Sequence, residues 1–262
     1  MRMKTLQIFA IAVLAVAATG QQKPVANRSA GDPLTGLRSE NWSERAEVFE
    51  RLRSDPNVLS DPKVQESLLN LLDRENHLME STLHDSQGEV GVSDKYGEGF
   101  GEYVDELGDA VESFGNWNDP RQVCIFVHEA YNPDSRFAAK IASHANVSAP
   151  CLIKMYGSDV GLIRAEASAV LVQALGKSKS QIDLPTTQEV ERVVRKALRD
   201  PDDSVRSYTV RALGKFGEED MIPALQQVAD ADPSPEVQGH SIRKSATNAI
   251  VSIQRRHKLP PP

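Results

Sequence analysis

Apolar residues recur at spacings of three and four along most of this chain, and no stretch alternates apolar and polar positions as a half-buried strand does. The pattern predicts a first helix over residues 41–53, stopped by Ser54, Asp55 and Pro56. A longer one begins at Asp61 and Pro62, because Asp caps a helix and Pro fits its first turn, and runs to residue 83. The clearest amphipathic segment is 98–114, where Phe100, Tyr103, Val104, Leu107, Val111 and Phe114 share one face. Further helices are predicted over 119–131, 134–144, 148–156, 159–175, 187–198, 203–216, 219–229 and 235–256. Between them, 85–97 is Gly-rich and polar and reads as an extended loop.

Helices in pairs with short turns and no strands imply either a bundle or a solenoid. An internal repeat decides between them. Val205, Arg206, Thr209, Ala212 and Leu213 align with Ile242, Arg243, Ala246, Ala249 and Ile250 at a constant offset. A third copy starts at Ile163 and Arg164 and ends at Ala174, Leu175 and Gly176, with one extra helical turn inside it. Arg136, Ala139 and Ala142 repeat the spacing more faintly, as do Arg45, Val48 and Leu52.

The N-terminus has its own pattern. Arg2 and Lys4 precede a run from Leu6 to Ala18 that only Gln7 interrupts, and small residues follow up to Gly20. This is the form of a secretory signal peptide over residues 1–20, too short to span a bilayer as a stable anchor. It implies export to the periplasm or the medium. Residues 21–36 then read as a flexible leader and 257–262 as a Pro-rich tail. No later stretch is apolar enough to cross a membrane.

Charge is uneven. Residues 21–133 carry 10 basic and 22 acidic side chains, whereas 134–262 carry 18 and 15. The acidic total argues against a nucleic-acid binder, whose affinity comes from clustered Lys and Arg.

Three groups of side chains bear on chemistry. Asp73, His77, Glu80 and His84 share one face of their predicted helix, a spacing that can present metal ligands, but the face lies opposite the apolar stripe and is expected to be solvated. Glu98, Glu102, Asp105, Asp109 and Glu112 form an acidic ridge opposite the stripe of 98–114; it reads as a solvated face or as a docking ridge for a basic partner. Cys124 and Cys151 fall near the starts of second helices in neighbouring pairs, so a disulfide and two separate buried thiols both stand as readings. No catalytic triad, phosphate loop or paired Cys motif is present, and no cofactor is implied.

Asp200, Pro201, Asp202 and Asp203, followed by Val205 and Arg206 and then Ala212, Leu213 and Gly214, resemble the HEAT-repeat family. The likeness is to short bacterial HEAT-like repeats, which also occur in proteins related to phycobilisome lyases. It extends over residues 159–253 and is looser over 37–156. The resemblance implies an all-α, armadillo-type solenoid of stacked antiparallel helix pairs, with the Asp-Pro turn capping each first helix and the Arg bonding to neighbouring turns. It further implies regular repeats with a capping helix over 157–256, and over 37–156 either irregular helical repeats or a globular all-helical part. The function expected is a non-catalytic scaffold for an unidentified protein or peptide. The alternative is a metal-binding envelope enzyme, or an enzyme accessory, that uses the 73–84 helix.

Overall fold

The computed structural model describes residues 34–85, 91–128, 136–235 and 241–258. The predicted signal peptide, nearly all of the leader and most of the tail lie outside these residues. Among them are thirteen α-helices and no strand: α1 (Trp42–Arg53), α2 (Pro56–Leu59), α3 (Pro62–Asp85), α4 (Val92–Tyr96), α5 (Phe100–Phe114), α6 (Pro120–Val127), α7 (Arg136–Ser143), α8 (Ala145–Met155), α9 (Gly161–Ser178), α10 (Leu184–Ala197), α11 (Asp203–Phe216), α12 (Ile222–Ala231) and α13 (Ile242–Lys258). The fold is an all-α solenoid.

Caps set many of the starts. Asn41, Asp55, Asp119, Asp183 and Asp202 each accept a backbone N–H from the first turn of the helix they precede. Pro56 and Pro120 occupy the first helical position, where the missing N–H costs nothing.

The long helices form two layers. In one, α1 packs on α5, α7 on α9, α9 on α11, and α11 on α13. In the other, α3 packs on α6, α6 on α8, and α8 on α10. No single pair can cover its own apolar stripe, so neighbours must stack. The centre of the stack is α9, flanked by α7, α8, α10 and α11, and it buries nearly every side chain from Ala165 to Leu175. Such a helix is buried on every side rather than amphipathic. Small residues set the spacing on α11 and α13: Ala212, Ala246 and Ala249 are buried, and a Cβ on Gly214 would meet Ala249 at 3.4 Å.

Three segments differ from expectation. The loop at 85–97 is not extended throughout, since Val92–Tyr96 closes a short helix. Its Tyr96 ring stacks on Phe100 at 4.7 Å, and its carbonyl accepts the Trp42 indole N–H at 3.0 Å. Tertiary contact thus orders a segment too short to be helical alone. Gly97 and Gly99, at φ 90° and 95°, then turn the chain into α5, in a conformation that glycine adopts without strain. Residues 56–59, expected only to end α1, form α2. The last helix starts at Ile242 rather than at Pro235, which is not helical.

Candidate functional site

The arginines of the repeat lock one turn to the next. Arg206 sends Nη1 to the carbonyls of Asp200 (2.7 Å) and Pro201 (3.0 Å), and Nε to the Asp232 carboxylate (2.7 Å). Arg164 does the same one repeat earlier, bonding the carbonyls of Ser158 and Asp159 and gripping Asp200 with Nε and Nη2. One repeat later, Arg243 donates to the Asp232 carbonyl at 2.7 Å. The result is a continuous ladder from Arg164 through Asp200, Arg206 and Asp232 to Arg243. Burial works against the charge on Asp200, but the bonds from Arg164 and from the Asp202 N–H outweigh it and hold this carboxyl below its ordinary range. Asp232 is lowered in the same way, chiefly by Arg206.

The same device recurs at the other end of the chain. Arg45 bonds the carbonyls of Ser39 and Glu40, six and five residues before it, and grips Glu75 with Nε (2.6 Å) and Nη2 (2.7 Å). Both side chains are fully buried. Tyr103 completes the group by donating to Glu75 at 3.0 Å, as Tyr156 donates to Asp200 at 3.1 Å. Arg136 departs from the pattern: it is exposed and pairs with Asp109 and Glu112 on α5.

On the second layer, α3, α6 and α8 wall an open cleft of about 550 Å3. His77, Glu80, Ser81 and His84 line it from α3, Cys124 and His128 from α6, and Cys151, Lys154 and Met155 from α8. Cys124 and Cys151 are joined as a disulfide across 27 residues, with Cα atoms 5.4 Å apart. Both are partly accessible, so the bond forms part of the cleft wall as well as a staple between α6 and α8.

The face of α3 expected to be merely solvated therefore borders this cleft. Its four candidate ligands do not converge; among the described residues no three His, Cys, Asp or Glu side chains are placed to hold one metal ion. His77 Nδ1 turns back to the Asp73 carbonyl at 2.7 Å. His84 Nε2 reaches Asp159 at 3.0 Å. Glu80 lies 2.6 Å from Nδ1 of His128, a residue that the sequence pattern did not bring into the group. The one local sign of it was the spacing of Cys124 and His128, four residues apart on one helical face.

The acidic ridge divides. Asp109 and Glu112 are engaged by Arg136 and Lys140, at 2.6 to 3.0 Å. Glu102 and Asp105 are exposed on α5, and Glu98 is exposed in the turn before it rather than on the helix. The Asp105 carboxyl is raised, first by desolvation and then by the charge of Asp109.

No helix among the described residues is long and apolar enough to cross a membrane. A search of the curated proteins found no match to this chain. The family model for HEAT repeats matches residues 164–245, which run from the first rung of the arginine ladder into α13. Over that segment, repeated pairs, small residues at the contacts and clamped turns coincide, and in these features the segment is similar to an array of HEAT repeats.

Proposed function

We propose that the chain is an exported scaffold that presents its solenoid surface to a protein or peptide and performs no catalysis of its own. The observation that carries this reading is the stack of clamped helix pairs, an architecture typical of interaction scaffolds. Each arginine of the ladder fixes a turn against the next repeat, so the outer faces are held in a set relation before any partner arrives. Preorganisation of this kind lowers the ordering cost of binding.

Export is supported by the charged start, apolar run and small-residue exit of residues 1–20, and by the disulfide, a bond that persists mainly in oxidising compartments. Mass spectrometry of protein from its native host should find an N-terminus between Ala18 and Gln22. An intact Met1 in a cytosolic fraction would refute export.

The partner proposed is basic, and its landing place is the part of the ridge that internal cations leave open: Glu98, Glu102 and Asp105. Like charges aligned in this way mainly speed encounter with an opposite charge, and salt screens them beyond about 10 Å at 0.1 M. A Lys- and Arg-rich peptide should associate with the full chain faster at low salt. The triple variant Glu98→Gln, Glu102→Gln, Asp105→Asn should slow association about tenfold and flatten its salt dependence. An unchanged rate at low salt would reduce the ridge to a solvated face.

A further inference from the structure

We propose that His77 and His128 bind one divalent transition-metal ion through their Nε2 atoms, with Glu80 as a positioning residue. The two rings come from different helices, α3 and the end of α6, and face one cleft. Their centroids are 6.3 Å apart. With metal–nitrogen bonds of about 2.0–2.1 Å, two imidazoles sharing an ion have centroids about 4.5 Å apart at a right angle and about 6.4 Å apart in line, so the rings are within reach of one ion and would close by about 1 Å for a tetrahedral one.

The tautomers favour the same reading. A backbone carbonyl only accepts, so the 2.7 Å contact of His77 Nδ1 with the Asp73 carbonyl places a proton on Nδ1 and leaves the lone pair on Nε2. On His128 the Glu80 carboxylate stands 2.6 Å from Nδ1. It lies off the line of a good ring N–H bond, and among the described residues Nδ1 has no other partner. Metal-binding histidines almost always show this arrangement: one nitrogen faces a carboxylate or carbonyl, and the other is free for the ion.

Among the described residues there are two nitrogens and no third converging ligand, so water fills the remaining positions of an open site. Two imidazoles as the protein's ligands suit copper, nickel and zinc and disfavour calcium and magnesium. Lys154 shares the cleft and opposes cation entry, while Asp73 and Glu80 offset it. His84 is tied to Asp159 and lies outside the pair.

The test is a titration of the untagged full chain, disulfide intact, with Cu2+, followed by calorimetry and electron paramagnetic resonance. One equivalent should bind with hyperfine coupling to two nitrogens. His77→Gln and His128→Gln should each weaken binding at least tenfold and remove one nitrogen. His84→Gln should change neither affinity nor spectrum. Glu80→Gln should keep both nitrogens and weaken binding 10–100-fold, the usual effect of losing a group that orients a ligand. His77 is largely exposed, so its variant tests the site even where a change at the half-buried His128 disturbs folding. Absence of binding by the unaltered chain, or binding that survives His77→Gln unchanged, overturns the proposal.

Discussion

Glu166 should make the stability of this protein fall as pH rises through neutrality. It sits on the central helix α9, is 2 % exposed, and among the described residues its Oε2 has no hydrogen-bond partner. Burial pushes its pKa from 4.5 up to about 9. The native state therefore keeps the proton across a range in which the unfolded chain gives it up. For an acid whose folded pKa is raised, the stability present below the unfolded pKa is lost progressively up to the folded one, here between about pH 4.5 and 9. The slope is about 1.4 kcal/mol per pH unit, so the loss between pH 4.5 and 7 reaches about 3 kcal/mol, an upper bound because local relaxation around the carboxylate lowers it. Glu166→Gln removes the titration but brings an amide with an extra donor that the site does not satisfy, so the slope is the readout rather than the offset. Urea unfolding of both forms at pH 5, 6, 7 and 8 should show the variant gaining on the unaltered chain by about 2–3 kcal/mol between pH 6 and 8. Parallel stability curves across that range would refute the assignment of a neutral, buried Glu166.

The arginine ladder and the repeat register give two further expectations. Arg206→Ala leaves Asp232 buried without its cation and should cost about 3–5 kcal/mol in urea unfolding, whereas loss of the exposed Arg192–Glu189 pair through Arg192→Ala should leave the unfolding midpoint nearly unchanged; equal losses would deny the ladder its role. Ala246→Leu overpacks a fully buried contact face of α13 and should cost about 1–3 kcal/mol, while the same change at exposed Gln226 should be close to neutral, and equal melting temperatures would count against this stacking register.

The repeat was legible in the sequence because its signal is local. Arg206, Ala212 and Leu213 recur at a fixed offset in α13, where Ala249 and Ile250 are buried like their counterparts, while the exposed Arg243 keeps only a bond to the Asp232 carbonyl. Even the faint match at Arg45, Val48 and Leu52 marked a real rung, since Arg45 reproduces the carbonyl contacts of Arg164 and Arg206. Its acid was not legible. Asp200 and Asp232 stand in turns at the ends of repeats, but Glu75 lies in the middle of α3, and nothing in its neighbours distinguishes it from a surface glutamate. The cleft was hidden for the same reason. His77 and Glu80 share a helix face and were visible together, whereas His128 arrives from another helix through the stacking of α3 on α6. Spacing along one helix cannot report which helix will cover it. The ridge was read as uniform because Arg136 and Lys140, which neutralise its end, belong to a different helix.

The two layers do different work, and the chemistry follows that division. In the layer of α9, α11 and α13, Arg164, Arg206 and Arg243 tie turn to turn, so their charges and those of Asp200 and Asp232 serve structure. In the layer of α3, α6 and α8 the polar groups that face outward are histidines, a glutamate and a lysine around a disulfide. A site shared between α3 and α6 needs those helices in fixed register, because ligands must be held to within about half an ångström to act together. Three contacts serve that end. Arg45 and Tyr103 anchor α3 through Glu75, the Asn76 amide donates to the Ile125 carbonyl of α6 at 3.1 Å, and the disulfide fastens α6 to α8. Asn76 is adjacent to His77, and Ile125 is adjacent to Cys124, so this bond sets the α3–α6 spacing beside the cleft itself. The rigidity of the second layer is thus concentrated where its side chains remain available to a ligand.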